Sequence, residues 1–427
     1  MTPPLRLRIL IRRFHPVVGG MERQALQLAI RLADRGVAPS VWTRRILPDS
    51  PLFDRVEGIP VRRFGPAGSG RLGEYGSLPR LAWALRREAA ISADDPDVLA
   101  VFGTGDLALV AAGAAQQSGI PWLMRPATEG DVSRYLDPTL APGGDPLRRW
   151  LRGHLPPSFW RGRRVRSAST SVAISPGIAA ELAGWGFDAT RIRELPNGVD
   201  LERFRPADAA RKADLRQRLG LPVDAPIVLF LGRLVRRKGV LELAEAWRRL
   251  GAAGTLPDRS VMVLAGSGEG QADRVDGDLD ALLADDRSVR RPGAVSAPED
   301  WLAAADIFVL PSHAEGLPNA FLEAMAAGLP ILASDIAVHR QLSGEGRAAL
   351  LHPVRDTTAL ADCLARLLGD RDLRDRLGRE ARTLAVTRYG LDAVADRWAD
   401  LLLRLAWERG DADGSAYRRA AESRPGS

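Results

Sequence analysis

Two cations in one glycine-bounded turn suggest where this chain binds an anion. Arg233 and Lys238 lie in Gly232-Arg-Leu-Val-Arg-Arg-Lys-Gly239, directly after the apolar run Ile227–Leu231. Lys238 is one of two lysines in a chain with 60 lysines and arginines, so it stands out against a chain-wide arginine bias. An ammonium is a compact point charge, whereas a guanidinium is a planar fork. The position therefore favours a phosphate-type anion, although a solvated surface cation fits the composition equally well.

A second segment places two carboxylates near the start of a helix. It follows the apolar run Ile307–Leu310, and Pro318 and Asn319 within it are typical helix-starting residues. Glu315 then precedes the helix and Glu323 lies in its early turns. The two carboxylates either stabilise the helix start electrostatically or accept hydrogen bonds from sugar hydroxyls.

A glycine pair, Gly19 and Gly20, follows the first apolar run and precedes a helical segment. Paired glycines let backbone amides approach an anion at the positive end of a helix. A tight turn between a strand and a helix would use the same residues, so this signal is weak alone.

Strands and helices must alternate to position these residues. Apolar runs alternate with amphipathic segments, which predicts an α/β fold of two doubly wound, Rossmann-like domains facing across a cleft. Ligands of such sheets bind at the carboxyl ends of the strands. The predicted strands are Leu5–Ile11, Val98–Phe102, Ser171–Ile174, Ile227–Leu231, Val261–Ala265, Ile307–Leu310 and Ile331–Ser334, and helices are predicted at Glu22–Arg35 and Asp392–Glu408.

The length of 427 residues exceeds what one hydrophobic core usually supports. Turn and breaker residues near position 200 mark the boundary between a first domain at 1–200 and a second domain at 201–385. A terminal helix at 386–409 is expected to pack back on the first domain, and the polar tail at 410–427 is expected to be disordered.

The composition predicts a cytoplasmic protein. The single cysteine excludes an intramolecular disulfide and a multi-cysteine metal site. No run of apolar residues is long enough for a membrane span. We therefore expect a cytoplasmic location, with contact at most to the cytoplasmic face of a membrane.

The net charge of +7 is concentrated in residues 146–180, which contain no acidic residue and interleave arginines with Trp150, Phe159 and Trp160. Such a segment suits an anionic membrane surface or a lipid-linked acceptor, and a solvated arginine-rich connection is the alternative. We expect no nucleic-acid partner, because no reading motif accompanies the charge.

The order of these motifs resembles the donor-site signature of the family 4 glycosyltransferases, which have the GT-B fold. The resemblance rests on Gly232-Arg-Leu-x-x-x-Lys-Gly239 and on Glu315-x7-Glu323 followed by Ala-Met-Ala-x-Gly-x-Pro330. The early Gly-Gly-x-Glu, the Pro-Asn-Gly-Val-Asp hinge and Leu264-Ala-Gly-Ser-Gly268 follow the family order. The resemblance covers nearly the whole chain, and it implies that 1–200 is the acceptor-side domain and 201–385 the nucleotide-sugar-binding domain.

The resemblance implies roles at the matching positions. Arg233 and Lys238 would bind the diphosphate of a nucleotide sugar and stabilise the charge of the leaving group. Glu315 would contact the transferred sugar and Glu323 the ribose hydroxyls. The remaining implied contacts are Gly20 with the diphosphate, Gly266 and Val295 near the base, and the backbone at Leu317, Asn319 and Ala320 with sugar or phosphate.

One family feature is absent from the sequence. Many members carry a histidine after a central strand of the first domain, where it contacts the donor sugar. The comparable stretch here contains Arg125 and Thr128, which are candidates for that contact, and His313 near Glu315 is a third.

Asp-x-Asp pairs at 95/97, 276/278 and 370/372 would suit a metal. Their surroundings favour chance pairing, so we expect no metal and no other cofactor.

The resemblance implies a retaining transferase that moves a sugar from a nucleotide diphosphate donor to a lipid-linked or polysaccharide acceptor in envelope or exopolysaccharide assembly. The alternatives are another GT-B enzyme, such as an epimerase or phosphorylase, and a non-catalytic sugar-nucleotide-binding partner. Release of free nucleotide only in the presence of an acceptor would distinguish transfer from these.

Overall fold

Apolar runs form two β-sheets in the computed structural model, which describes residues 4–17, 19–68, 77–85, 96–137, 162–284 and 286–409. These residues divide into two compact units. The first unit takes in the residues up to Asn197 and those from Asp392 onward, and the second runs from Gly198 to Leu391.

The first unit contains a sheet in the order β3-β4-β2-β1-β5-β6-β7-β8. Neighbouring strands are parallel except β3, which is antiparallel to β4. Its strands are β1 Leu5–Ile11, β2 Val37–Arg44, β3 Phe53–Val56, β4 Ile59–Phe64, β5 Val98–Phe102, β6 Trp122–Arg125, β7 Thr170–Ala173 and β8 Ile192–Glu194. Its helices are α1 Gly20–Ala33, α2 Asp106–Ser118, α3 Asp131–Leu136 and α4 Pro176–Gly184, and residues 77–85 are also helical.

The second unit contains a sheet in the order β11-β10-β9-β12-β13-β14, with all neighbours parallel. Its strands are β9 Ile227–Leu231, β10 Val261–Ala265, β11 Val289–Gly293, β12 Ile307–Leu310, β13 Ile331–Ser334 and β14 Ala349–His352. Its helices are α5 Ala209–Arg218, α6 Val240–Ala252, α7 Asp276–Leu283, α8 Pro298–Ala304, α9 Asn319–Ala326, α10 Ala337–Leu342, α11 Thr357–Gly369 and α12 Arg371–Leu384.

Six of the seven predicted strands have the predicted bounds, and the seventh is shifted by one residue to Thr170–Ala173. Two helix bounds differ slightly from the prediction. The first helix starts at Gly20 instead of Glu22, because the glycine pair forms the start of the helix and not a separate turn. The last helix, α13, runs over Leu391–Arg409 instead of Asp392–Glu408.

Helix α13 contributes to the core of the first unit. Its buried side chains belong to the same hydrophobic cluster as those of β1, β5 and α1. Trp398 of α13 stacks on Phe102 at the end of β5, with ring centroids 5.9 Å apart. Arg35, after α1, forms ion pairs with Asp392 and Asp396 at 3.2 and 2.6 Å. Helix α13 therefore packs into the same hydrophobic core as β1 and α1.

The order of the second sheet determines which loops become neighbours. The strand that opens this sheet, β9, has β10 on one side and β12 on the other, so the direction of chain progression reverses between β9 and β12. In an open α/β sheet the ligand site lies outside the carboxyl ends of the strands at such a switch point. The turn after β9 carries Arg233 and Lys238, and the loop after β12 carries Glu315.

Candidate functional site

Gly239 allows the turn after β9 to pack closely against the loop after β12. Arg236–Lys238 form one turn of 3-10 helix, and Gly239 follows with φ of 67°. A Cβ built on Gly239 would lie 2.0 Å from the carbonyl oxygen of Pro311. The position therefore needs glycine both for its backbone conformation and for its packing. A larger residue would separate the turn from the loop.

Lys238 and Glu315 meet at this contact. The Lys238 ammonium donates to Glu315 Oε1, and the two side chains are only 13% and 7% exposed. Ser312 Oγ donates to the same carboxylate oxygen at 2.6 Å. Burial opposes ionisation of Glu315, but the charge and hydrogen bond of Lys238 and the hydrogen bond of Ser312 outweigh it and hold the pKa of Glu315 below its usual value. The Glu315 carboxylate is therefore charged at neutral pH.

The turn after β10 packs closely on the same region. Gly266 has φ of 149°, and a Cβ on it would lie 1.7 Å from the carbonyl oxygen of Gly232. Its amide donates to the Gly293 carbonyl at 2.8 Å, which joins it to the end of β11. Val295 is half-buried just beyond β11. Arg233 is exposed, and its guanidinium donates to Gln271 Oε1 at 2.9 Å.

Helix α9 begins beside this edge of the sheet. Pro318 is its N-cap, Asn319 and Ala320 are its first half-buried residues, and Leu317 is buried ahead of it. Glu323 is buried within the helix. The first N–H groups of a helix lack partners within that helix and carry partial positive charge. This helix start is therefore suited to an anionic or hydroxyl-rich ligand.

His313 fastens the loop after β12 to helix α6. Its Nε2 lies 2.8 Å from Glu242 Oε1, and its backbone amide donates to the Arg237 carbonyl at 2.8 Å. The ring is only 12% exposed. The structure therefore gives His313 a role in holding the loop that carries Glu315.

Beneath the ion pair lie residues that the sequence analysis did not identify. Ser334 Oγ donates to the Ser312 carbonyl, and His339 Nδ1 lies 2.9 Å from the Ser334 carbonyl oxygen. The His339 ring is fully buried and stacks on Phe321 at 5.2 Å. Burial lowers the pKa of His339 to about 4, so the ring is neutral at physiological pH. In the sequence, the only signal was that His339 is one of five histidines.

Most candidate residues lie together in the second unit, and three lie in the first unit. Arg233, Lys238, Glu315 and their neighbours lie in loops or a helix start at the carboxyl edge of the second sheet. Gly20 starts helix α1, which follows β1, while Arg125 ends β6 and Thr128 lies three residues beyond it.

Each residue of the first unit has a distinct setting. Gly20 is exposed as the first residue of α1, and Arg125 is buried at the end of β6. The Thr128 hydroxyl donates to Asp131 Oδ1 at 2.8 Å, so it takes part in the turn that starts α3.

One residue of each acidic pair interacts with another residue of the protein. Asp97 pairs with Arg6 at 3.2 Å and Asp278 with Arg236 at 2.9 Å. Asp370 caps helix α12 by accepting from the Leu373 amide at 2.9 Å. Asp95 lies outside the described residues.

Part of the basic segment 146–180 is described. Residues 146–161, with Trp150, Phe159 and Trp160, lie outside the described residues. Arg163 and Arg164 are exposed and line a cavity of about 1000 Å³ in the first unit, together with Arg191 and Arg193. No helix among the residues from 4 to 409 that the structure covers combines the length and apolar character of a membrane crossing.

Comparison with known protein families matches both halves of the chain. Residues 18–203 match the family described as Glycosyltransferase Family 4, and residues 225–370 match the one described as Glycosyl transferases group 1. A D-inositol 3-phosphate glycosyltransferase from Xylanimonas cellulosilytica is 32% identical over 404 residues, which cover 90% of this chain and 91% of that protein.

Solved structures resemble the fold over nearly the whole chain. Sucrose-phosphate synthase from Thermosynechococcus elongatus aligns with a TM-score of 0.75 at 23% identity, covering 94% of this chain and 99% of that one. HepE from Anabaena in complex with UDP-glucose aligns with a TM-score of 0.70 at 20% identity, covering 92% and 99%. The fold prediction is therefore confirmed as GT-B. The chain belongs to the family 4 glycosyltransferases and is a glycosyltransferase.

Proposed function

We propose that this enzyme transfers a sugar from a nucleoside diphosphate donor to a hydroxyl acceptor with retention of the anomeric configuration. The observation that carries the proposal is the buried pair Lys238–Glu315 at the switch point of the second sheet. A cation and a carboxylate thus lie together at the edge where ligands of such sheets bind, which supports the proposal.

Arg233 and Lys238 bind the diphosphate in this proposal. Lys238 gains a phosphate partner when the donor binds, while Arg233, which is exposed beside the same turn, supplies a second cation. Negative charge grows on the diphosphate as the glycosidic bond breaks, so cations already fixed at that position stabilise the transition state more than the ground state. Metal-independent catalysis follows as part of the proposal, since the two side chains supply positive charge themselves.

The rest of the donor occupies the neighbouring loops. Glu315 accepts hydrogen bonds from hydroxyls of the transferred sugar, and Ser312 holds its carboxylate. Glu323 binds the ribose, Gly266 and Val295 lie beside the base, and the start of α9 at Leu317, Asn319 and Ala320 faces sugar or phosphate. UDP-glucose is the first donor to test, because the HepE structure contains it.

The acceptor is proposed to be a glycan or a lipid-linked sugar of envelope or exopolysaccharide assembly, reached from the cytoplasmic side. The exposed arginines around the cavity of the first unit support contact with an anionic surface. Because a relative is named a D-inositol 3-phosphate glycosyltransferase, inositol 3-phosphate belongs in the acceptor panel.

Nucleotide release measured with and without acceptor tests the proposal. The full chain should release UDP from UDP-glucose at least about tenfold faster with a suitable acceptor, and Lys238→Met should abolish that increase. The product linkage, determined by NMR, should retain the donor configuration. Nucleotide release that is independent of every acceptor would contradict transfer, and loss of activity in EDTA would contradict metal independence. Retention of the protein by anionic but not neutral vesicles at low salt tests the membrane contact.

A further inference from the structure

Arg125 is a buried cation of the first unit. It is the last residue of β6 and only 4% exposed. Its guanidinium donates to the Asn197 side-chain oxygen and lies 4.9 Å from the centre of the Phe102 ring. Among the residues that the structure describes, no carboxylate pairs with it, and burial is the only influence that shifts its pKa, lowering it to about 10. The group therefore remains protonated at neutral pH.

Two other arginines are buried to the same extent, and each has a carboxylate partner. Arg63, also 4% exposed, pairs with Asp54 at 3.0 Å and donates to two backbone carbonyls. Arg216, 5% exposed, pairs with Asp306 at 2.6 Å and donates to three backbone carbonyls. Removing a charge from water is costly unless a partner replaces the water. Arg125 has one amide oxygen and one aromatic face for this purpose.

Arg125 lies at the edge of the sheet where a bound ligand would supply an anionic partner for its guanidinium. Phe102 and Arg125 are paired in register at the carboxyl ends of β5 and β6, and Asn197 follows β8. Carboxyl ends of strands form the ligand-binding edge of an open α/β sheet. The Asn197 amide and the Phe102 ring hold the guanidinium, whose remaining N–H groups form a fork that matches a carboxylate or phosphate.

We propose that Arg125 binds an anionic group of a substrate, either a carboxylate on the donor sugar or a phosphate on the acceptor. The inference rests on the proposed transferase function, since it names the chemistry of one of that enzyme's two substrates. A substrate that carries such a group completes the interactions of Arg125, whereas a neutral analogue leaves the cation buried without an anion.

Binding of simple anions is the first test. The full chain is titrated with inorganic phosphate and with D-glucuronate, with D-glucose as the uncharged control, while the melting temperature is followed. One of the two anions should raise the melting temperature. Arg125→Gln should weaken that anion's binding about tenfold or more, and Arg125→Lys, which keeps the charge but loses the fork, should fall between. Absence of any anion effect, or an equal effect in Arg125→Gln, overturns the proposal.

Asn197→Asp distinguishes an Arg125 that binds a ligand from one with a purely structural role. It places a carboxylate where the amide oxygen now accepts from Arg125, so it should raise the melting temperature of the unliganded protein and remove the anion response. A lower melting temperature with the anion response intact overturns the proposal.

Matched substrates then identify the source of the anion. Rates are compared for UDP-glucose against UDP-glucuronate, and for inositol against inositol 3-phosphate. For one of the two pairs, Arg125→Gln should reduce the preference for the charged substrate over the neutral one about tenfold or more. A change in the donor pair indicates that Arg125 binds a sugar carboxylate, and a change in the acceptor pair indicates that it binds a phosphate. If neither preference changes, the proposal is wrong. UDP binding is measured in parallel, because UDP lacks the transferred sugar. If UDP fails to bind but the anion response persists, the proposed function has failed and the Arg125 site has not.

Discussion

Lys238 and Glu315 are 77 residues apart in the chain, yet they form an ion pair in which both side chains are largely buried. The other lysine of the chain, Lys212, also pairs with a carboxylate, the half-buried Asp306, at 2.6 Å. That second pair lies at the amino end of β12, at the opposite edge of the sheet from the Lys238 turn. Rarity of lysine therefore does not by itself mark a ligand site, and the position of Lys238 at the carboxyl edge carries the argument.

Lys238→Arg tests whether the shape of the cation matters. The guanidinium keeps the charge, but it is larger and planar, and the Lys238 side chain is only 13% exposed beside Glu315. We expect kcat/KM to fall on the order of 10- to 100-fold with a small change in melting temperature. Steady-state kinetics with a saturating acceptor measure this. Unchanged turnover would show that any cation is sufficient at this position.

The contribution of the ion pair to stability can be separated from its contribution to activity. Lys238→Met leaves Glu315 buried without its cation and should destabilise the protein by about 3 kcal/mol, whereas the double variant with Glu315→Gln should recover part of that loss. Urea unfolding of the wild type, Lys238→Met, Glu315→Gln and the double variant gives the coupling energy between the two side chains. Additive effects would mean that the two side chains do not interact in solution.

The same pair predicts a pH dependence. The pKa of Glu315 is lowered in the folded state, so its charge stabilises the fold above the unfolded value of about 4.3 and ceases to do so as pH falls through the lower folded value. The stability difference between the wild type and Glu315→Gln should therefore shrink below about pH 4. A difference that is constant from pH 7 to pH 3 would contradict the ionised pair.

Gly239→Ala tests the packing that brings the two residues together, and Gly220→Ala is its matched control. Both glycines have similar φ, 67° and 65°, but a Cβ at Gly220 has no neighbour within 4 Å, whereas one at Gly239 meets Pro311. Gly220→Ala should cost about 1 kcal/mol from backbone strain alone, and Gly239→Ala at least about 3 kcal/mol together with most activity. Equal losses would show that the contact with Pro311 relaxes freely.

The sequence identified the strands and the loops of the site better than the contacts inside it. Strand bounds such as Ile227–Leu231 were predictable because apolar runs between turn residues are a local signal. The edge strand Phe53–Val56 was not predicted, since its residues are exposed or half-buried and carry no apolar run. Its antiparallel pairing with β4 was equally unpredictable from local pattern.

The residues beneath the site depend on tertiary contacts that no spacing encodes. Ser334 and His339 lie near Ser312 only because β13 is placed next to β12. Arg125 was a candidate sugar contact in the sequence. That no carboxylate of the described residues pairs with it became visible only once its burial and its neighbours were known. Motif order can indicate which loops bind a ligand, whereas the electrostatic state of each group requires the fold.

His339 predicts a loss of stability in mild acid. Its pKa is about 4 in the folded protein because the ring is buried, against an ordinary value of 6.5. Between these values the unfolded chain binds a proton that the folded protein does not, so stability falls as pH drops from 6.5 to 4. The difference of about 2.5 pKa units corresponds to about 3 kcal/mol for this one group.

His339→Gln removes the titrating ring and keeps a polar, uncharged side chain at this position. Its free energy of unfolding, measured by urea titration at pH 7 and pH 4.5, should change less between the two conditions than that of the wild type. His352, whose pKa burial also lowers, provides the comparison variant His352→Gln. Because that shift is smaller, it should remove less of the pH dependence. If His339→Gln loses as much stability in acid as the wild type, the buried ring is not the group responsible.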